Sequence, residues 1–354
     1  MIFMNKHEYL RFEIKKMIEE ESLKPGDKLP TELQFQEKYD VSRHTVRLAL
    51  SNLENEGVIY KEQGLGSFVS EKKLKSKEIG VITTYMSDYI FPYIIRGIEK
   101  ELTEQGYTMI LTSTDNNHDL EKRALKMMLD RDIDGIIVEP TKSALYNPNI
   151  GEYLKLKKRG IPTVMINATY AELDMPAVIL DDYNAGYMAT LELIENNHTN
   201  IGGIFKIDDM QGKERLKGYM NACYDNDVEY NSKNILVYET ETLNELMDQS
   251  VTKLVTENNV TGIVTYNDKV ANDLLEIIWK NDLKVPDDFS IVSHDNSYLS
   301  EMSSTQLTSV DHPKSDLGKK AAELVLTSVN NGNAKIEDYV FKPELVRRTS
   351  VKKI

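Results

Sequence analysis

From residue 79 onward, short apolar runs alternate with longer segments that carry apolar residues at helical spacing. The first three runs are residues 79–83, 108–112 and 135–138. Strand patterns that alternate with helical patterns predict βαβ units and a parallel sheet. The pattern gives nine or ten strands, which is large for one sheet. We therefore predict an α/β fold in which two doubly wound lobes surround a cleft.

A cleft of this kind predicts where a ligand would bind, because ligands of doubly wound folds lie at the carboxyl ends of the strands. Polar residues follow the predicted strands, and Arg96 lies on the first helix of this part. Carboxylates accept hydrogen bonds from a polar ligand, whereas Lys, Arg and Asn donate them. For Asp182 and Asp295 the alternative is helix capping, since each begins a loop before a helix. The candidate ligand-binding residues are Tyr89, Arg96, Glu139, Asn167, Asp182, Lys206, Asn267 and Asp295.

Residues 1–70 follow a different pattern, which predicts three helices and a hairpin. Apolar residues recur at helical spacing over residues 5–21, and Thr31 is suited to cap a second helix. A third helix is predicted for residues 43–55, and residues 58–69 read as two short strands around a Gly-containing turn. This order is that of a winged helix-turn-helix, whose recognition helix enters the major groove of DNA.

The start of the predicted third helix carries the side chains that DNA recognition needs. Arg43 and Arg47 are one turn apart, and Arg suits guanine O6/N7 or phosphate oxygens. Glu32 could accept from cytosine N4 or orient an arginine, and the wing glycines allow close backbone approach. The alternative is a three-helix domain with ordinary solvated charges. The candidate DNA-binding residues are Lys6, Glu32, Ser42, Arg43, His44, Thr45, Arg47, Gln63, Gly64 and Gly66.

The distribution of charge is compatible with DNA binding at one end of the chain, although the formal net charge is -14. Residues 1–73 contain 12 Lys/Arg and 13 Asp/Glu, whereas the remainder contains 31 and 44. An acidic body repels phosphates, so DNA should meet only the N-terminal part. Residues 71–77 are polar and Lys-rich and read as a linker. The predicted domains are therefore 1–70, linker 71–77 and 78–354.

The sequence offers little support for an enzyme or a metalloprotein. Cys223 is the single cysteine and is expected to be packed, and His118 and His198 are expected at the surface. We find no nucleophile elbow, P-loop or G-x-G-x-x-G after a strand, so we expect no catalytic residues, no metal and no cofactor. No signal peptide and no apolar run near 20 residues is present, so we expect a cytoplasmic protein without membrane contact.

Two resemblances to known families support these expectations. Residues 28–32, 41–47 and 64–69 resemble the DNA-binding domain of GntR-type regulators. Residues 78–349 resemble the sugar-sensing core of LacI-type repressors and periplasmic binding proteins, through segments such as 215–219 and 344–350. The LacI-type pattern implies two further ligand-binding residues, Arg215 and His312.

The combination resembles the arabinose-responsive repressors of Gram-positive bacteria, with similar segments at residues 84–92, 138–144 and 203–212. That resemblance implies a homodimer on double-stranded operator DNA and L-arabinose as the effector that releases it. Alternatives are a sugar- or nucleobase-responsive repressor of another catabolic operon and a sugar-binding module without regulation. His294 stands where LacI-type cores commonly have Tyr, so individual contacts need not carry over.

Overall fold

The computed structural model describes residues 5–19, 22–55, 57–70, 76–87, 89–302, 305–331 and 336–354. The chain divides into two compact units, residues 1–76 and residues 77–354. The linker predicted for residues 71–77 lies outside the described residues except at Ser76 and Lys77. No helix in the described part of the chain is long and apolar enough to span a membrane.

The first unit is a three-helix domain with a two-stranded hairpin. Thr31 caps the second helix, accepting from the Gln34 amide while the Gln34 side chain accepts from the Thr31 amide, which is a capping box. Leu10, Phe35 and Leu53 lie in its apolar core. The elements are α1 (Lys6–Glu19), α2 (Glu32–Tyr39), α3 (Arg43–Asn55), β1 (Ile59–Glu62) and β2 (Gly66–Val69).

The second unit contains two six-stranded sheets, which confirms the predicted α/β fold. The N-terminal lobe has the strand order β13-β7-β6-β5-β3-β4. Its strands pair in parallel and are mostly buried, as expected for a sheet covered by helices on both faces. This lobe is formed by β3 (Glu78–Thr83), α4 (Phe91–Glu104), β4 (Thr108–Ser113), α5 (His118–Asp130), β5 (Gly135–Val138), α6 (Ile150–Lys158), β6 (Thr163–Ile166), β7 (Ala177–Leu180), α13 (Lys314–Asn330) and β13 (Tyr339–Phe341).

The C-terminal lobe has the strand order β14-β12-β11-β10-β8-β9, and β14 alone among them pairs antiparallel. A π-helical segment, Met247–Val251, joins α9 to α10. This lobe is formed by α7 (Asp182–Glu195), β8 (Ile201–Lys206), α8 (Met210–Asp225), β9 (Ile235–Tyr238), α9 (Leu243–Leu246), α10 (Thr252–Glu257), β10 (Gly262–Thr265), α11 (Asp268–Lys280), β11 (Ser290–Asp295), α12 (Tyr298–Met302), β12 (Thr308–Asp311) and β14 (Leu345–Val346).

The chain passes between the lobes at three places, after β7, after β12 and after β13. As a result α7 follows a strand of the N-terminal lobe but packs on the C-terminal sheet, and α13 does the reverse. Both helices approach a neighbour closely: a Cβ on Gly318 would lie 2.2 Å from the Ile94 carbonyl oxygen, and one on Gly218 would lie 2.1 Å from that of Tyr183. All three crossings lie on one side of the cleft, which is therefore its hinge side.

Candidate ligand cavity and nucleic-acid interface

A cavity of about 170 Å³ lies between the two lobes of the second unit, at the carboxyl ends of the strands. An engineered cavity of roughly 150 Å³ takes up benzene, so this one fits a single small ring. Both lobes contribute to it, as the cleft prediction requires. The lining residues are Thr84, Tyr85, Tyr89, Ile90, Phe91, Asn116, Glu139, Pro140, Ser143, Asn167, Ala168, Lys206, Asp209, Gln211, Arg215, Tyr238, Thr240, Leu243, Tyr266, Asn267, Lys269, Val270 and Asp295.

Arg215 is the buried cation at the centre of the C-terminal wall. Its Nε donates to Asp182 Oδ1 at 2.8 Å, and its guanidinium also donates to the Tyr266 carbonyl oxygen at 2.6 Å and to Asp295 Oδ1 at 3.5 Å. Burial would lower the pKa of Arg215, but the charges of Asp182 and Asp295 raise it above its ordinary value. The cation is thus fully compensated by protein carboxylates.

Asp295 joins the two lobes at the cavity. It accepts a hydrogen bond from the Tyr89 hydroxyl, which lies on the opposite lobe. Burial would raise the pKa of Asp295, but Arg215, His312 and the hydrogen bond from Tyr89 together hold it below its ordinary value. Its φ of 93° is rare for a residue with a side chain, and such strain concentrates at ligand sites.

Glu139 and Lys206 supply further polar groups. Glu139 accepts from the Thr84 amide at 2.8 Å and from Asn167 Nδ2 at 2.8 Å, while burial raises its pKa. Lys206 Nζ lies 3.0 Å from Asp209 Oδ2; burial would lower its pKa, but Asp209 and Asp208 raise it. Since Lys206 and Arg215 are both paired, the wall suits a neutral polyhydroxylated ligand better than an anion.

The cavity gathers most of the sequence-predicted ligand residues, but not all. Tyr89, Glu139, Asn167, Lys206, Arg215, Asn267 and Asp295 line it. Among the described residues that line it, Asp182, His312 and Arg96 do not appear. Asp182 lies behind Arg215, and His312 Nε2 lies 3.1 Å from Asn167 Oδ1, so each touches a lining side chain instead. Arg96 is exposed on α4.

The capping alternative does not hold for Asp182 and Asp295. The side chain that caps α7 is that of Asp181, whose Oδ1 accepts from the Asn184 amide, and Asp182 is the first residue of the helix. Asp295 ends β11 and bonds Arg215 and Tyr89. Asn267, by contrast, lines the cavity and also caps α11 by accepting from the Val270 amide.

Sequence reasoning missed several lining residues. Asn116 and Thr240 follow β4 and β9, and Tyr238 and Tyr266 end or follow strands, so the carboxyl-end rule would have found them had it been applied to every strand.

The expectation that His198 lies at the surface is wrong. It is buried, with Nδ1 2.9 Å from Thr261 Oγ1 and Nε2 3.0 Å from the Lys352 carbonyl oxygen, because the C-terminal segment covers it. Cys223 is buried, as expected.

In the first unit, α3 and the start of α2 bring three charged side chains together. Arg43 Nε donates to Glu32 Oε2 at 3.0 Å, and Arg47 Nε donates to Glu32 Oε1 at 3.0 Å. The hydrogen bond from Arg43 lowers the pKa of Glu32, although partial burial opposes it. The arginine side chains are 66% and 58% exposed, so they remain available to DNA.

The other predicted DNA-binding residues flank this cluster or lie on the wing. Ser42 Oγ lies 2.8 Å from Thr45 Oγ1, and His44 is exposed. Lys6 Nζ donates to the Asp40 carbonyl oxygen at 3.2 Å. On the wing, Gln63 is exposed, and Gly64 and Gly66 have φ of 80° and 119°, values that favour glycine.

The arrangement shows no metal centre within the described ranges, where no group of three or more His, Cys, Asp or Glu residues is placed to hold an ion.

Comparison with known proteins assigns both units. Residues 8–69 match the family of bacterial regulatory proteins of the gntR type, and residues 190–351 match a periplasmic binding protein-like domain. An arabinose metabolism transcriptional repressor from Halalkalibacterium halodurans is 41% identical, with 98% of this chain and 96% of that protein covered. A protein of the same name from Geobacillus stearothermophilus is 42% identical, with 99% of this chain and 98% of that protein covered.

Among solved structures, a periplasmic binding protein/LacI transcriptional regulator from Alkaliphilus metalliredigens, complexed with D-xylulofuranose, resembles the chain with a TM-score of 0.67 and 25% identity. The similarity covers 78% of this chain and 99% of that one. The two repressors therefore match both units of the chain. The solved structure matches 78% of the chain, which is about the length of the second unit.

Proposed function

Because this chain belongs to the family of arabinose metabolism transcriptional repressors, we propose that it represses arabinose-utilisation genes and is released from their operators by L-arabinose. The observation that carries the proposal is the similarity at 41% and 42% identity over both the DNA-binding unit and the core. The domains we assign are a DNA-binding head at residues 1–70, a linker at 71–77 and an effector core at 78–354. The protein would act in the cytoplasm.

The cavity supports a small neutral sugar as the effector. Its volume of about 170 Å³ suits one ring, and its paired cations and carboxylates offer both donors and acceptors to hydroxyl groups. A sugar that bridges Glu139 on one lobe and Arg215 on the other would favour one angle between the lobes. The residues that we assign to contact it are Tyr89, Glu139, Asn167, Lys206, Arg215, Asn267 and Asp295.

In this mechanism a homodimer places two heads on a palindromic operator, and sugar binding in the cores changes how the heads are presented. Binding of sugar and DNA must then be negatively coupled, and the coupling must be reciprocal. A coupling of about 1–3 kcal/mol corresponds to a change of roughly 5- to 150-fold in affinity.

The test is fluorescence anisotropy with DNA that the wild-type protein has selected from a random pool. Saturating L-arabinose should weaken DNA binding at least about fivefold, and sedimentation of the complex should show two chains per operator. DNA affinity that does not change with sugar would contradict the proposal.

A nucleobase effector is the second candidate, because five aromatic side chains line the cavity and could stack on a base: Tyr85, Tyr89, Phe91, Tyr238 and Tyr266. Calorimetric titration of the protein with L-arabinose, D-xylose, hypoxanthine and guanine separates the two candidates. If L-arabinose gives binding heat and the purines do not, the result supports a sugar effector. If a purine gives binding heat and the sugars do not, it supports a nucleobase effector.

A further inference from the structure

The cleft is bridged by direct hydrogen bonds on the side opposite the hinge. The hinge crossings leave the sheets at β7, β12 and β13, whereas the bridging loops follow β4 and β5 in one lobe and β8 and β9 in the other. In both sheets these strands lie toward the end of the strand order away from the hinge strands. The bridging loops therefore lie at the mouth of the cleft, where a ligand enters and leaves.

Asn116 is the centre of this bridge on the N-terminal lobe. Its Nδ2 donates to Thr240 Oγ1 at 2.7 Å and to Asp208 Oδ2 at 3.4 Å, both on the other lobe. Its Oδ1 accepts from the Lys142 amide at 2.8 Å. The side chain is buried, and its φ of 52° suits Asn. Its amide group is thus used for protein contacts across the cleft.

Two backbone amides are also bonded only across the mouth. The Ala144 amide donates to the Asp208 carbonyl oxygen at 3.3 Å, and the Met210 amide donates to Ser143 Oγ at 2.9 Å. Met210 begins α8, so its amide has no acceptor within its own helix. Opening of the lobes would expose both amides to water.

The outermost contact is an ion pair between Lys142 and Glu241. The Lys142 side chain is 17% exposed and that of Glu241 is 61% exposed. Neither residue lines the cavity among the residues described there. The pair joins the two lobes without touching the ligand site.

The loop that carries these contacts is held firmly on its own lobe. The Tyr170 hydroxyl oxygen lies 2.6 Å from Oε1 of the buried Glu121 and 2.8 Å from the Thr141 carbonyl oxygen, so its single hydrogen is shared between these two acceptors. Asn147 and Asn149 each donate from Nδ2 to Glu121 Oε2, at 2.9 Å and 2.8 Å. A buried carboxylate with these partners fixes both ends of the loop, so the loop moves with its lobe as one piece.

We propose that Asn116 and the Lys142–Glu241 pair form a latch at the mouth of the cleft that holds the lobes closed and slows the escape of the effector. The proposal rests on the proposed function for the identity of the effector, but the latch itself exists without ligand. Breaking the pair should shift the lobes toward the open form. An exposed pair of this kind is worth about two- to fivefold in the opening equilibrium.

The test is amide hydrogen exchange of the full-length protein without sugar. Glu241→Gln should speed exchange at the Ala144 and Met210 amides about two- to fivefold, and Asn116→Gly should speed it further. The Thr114 amide, which donates to the Thr83 carbonyl oxygen within one lobe, should not change. The matched control is Glu276→Gln, which breaks an exposed ion pair with Lys280 on α11.

The salt dependence of amide exchange provides a second measurement. A general change in folding would not produce the expected difference between the wild type and Glu241→Gln. Raising the salt from about 50 mM to about 500 mM screens exposed pairs, so it should speed exchange at both amides in the wild type but not in Glu241→Gln. In a stopped-flow displacement experiment, Glu241→Gln should also release L-arabinose about two- to fivefold faster.

The proposal is overturned if exchange at Ala144 and Met210 is the same in the wild type, Glu241→Gln and Asn116→Gly, whatever the sugar titration shows. If instead exchange rises as expected but the wild type gives no heat with L-arabinose, the latch stands and the proposed function fails.

Discussion

Arg215 in the wall of the ligand cavity forms a buried ion pair with Asp182 behind it, with Nε and Oδ1 2.8 Å apart and both side chains almost fully shielded from water. The pair belongs to two helices, α8 and α7, that Gly218 allows to approach closely. Asp182 therefore fixes the direction in which Arg215 faces the cavity. A mutation of either residue should affect both the stability of the core and ligand binding.

Arg215→Met should reduce the free energy of unfolding of the core by about 3–5 kcal/mol. The substitution keeps most of the side-chain volume but leaves Asp182 and Asp295 buried without their cation. Urea denaturation followed by circular dichroism measures the loss. Lys217→Met is the control on the same helix, since its exposed pair with Glu214 should be worth under about 1 kcal/mol. Equal effects of the two substitutions would contradict the prediction.

Arg47→Ala should cost about 1–3 kcal/mol of specific DNA binding and leave sugar binding unchanged. The guanidinium is exposed on α3 and lies in a separate compact unit from the cavity. Anisotropy with selected DNA and calorimetry with L-arabinose measure the two activities. If both are lost together, the substitution has disturbed folding and the assignment of Arg47 to DNA fails.

Glu32→Gln should raise affinity for non-specific DNA and lower the ratio of specific to non-specific binding. The carboxylate holds Arg43 and Arg47 by two hydrogen bonds of 3.0 Å, so its loss frees the arginines and removes a charge that repels phosphates. Titrations with selected and scrambled duplexes at two salt concentrations give the ratio. Glu37→Gln, on the same helix, is the control, and an unchanged ratio would rule out an orienting role for Glu32.

Two histidines that are buried in their neutral form should lower the stability of the core between about pH 6.5 and pH 4, whereas Asp182 and Asp268, whose pKa values burial raises to about 6, act in the opposite direction. Burial lowers the pKa of His312 to about 4 and that of His294 to about 3. Below about pH 6.5 these histidines take up protons in the unfolded chain, whereas in the folded core they remain neutral until the pH approaches their lowered pKa values. The stabilisation is complete above that pH and declines as the pH falls, by about 2 kcal/mol for each histidine at pH 5.

Urea denaturation of the core at pH 8 and pH 5 tests this prediction. His312→Gln, which keeps a donor for Asn167, should shrink the difference between the two pH values by about 2 kcal/mol. His44→Asn, in the other unit, should leave the difference intact. A difference that His312→Gln does not change would show that other groups cause the acid sensitivity.

The strand pattern of residues 79–310 was sufficient to predict the α/β fold, because buried parallel strands read as apolar runs whatever their neighbours are. The pattern could not show which of the two sheets each of the last two strands joins. Tyr339–Phe341 and Leu345–Val346 are short, partly exposed strands that join sheets formed much earlier in the chain. Such pairings depend on tertiary contacts, which a local pattern does not encode.

The carboxyl-end rule predicted several of the residues that line the cavity, and the family resemblance predicted Arg215. Arg215 and Asp295 line the cavity as expected, but the sequence did not distinguish a residue that faces the ligand from one that lies behind it, as Asp182 and His312 do. The sequence could have excluded Arg96 as a ligand-binding residue, because Ile94 and Ile98 define the buried face of α4 and Arg96 lies on the opposite face. Asn116 follows β4 and was within reach of the carboxyl-end rule, but its contacts with the other lobe are visible only in the fold.

The exchange of α7 and α13 between the lobes has a consequence for how the protein is made. The N-terminal lobe needs α13 and β13, which are among the last parts of the chain to leave the ribosome. The DNA-binding unit, in contrast, is complete by residue 70. A message that ends early would therefore yield a finished first unit attached to a core that lacks part of its N-terminal lobe.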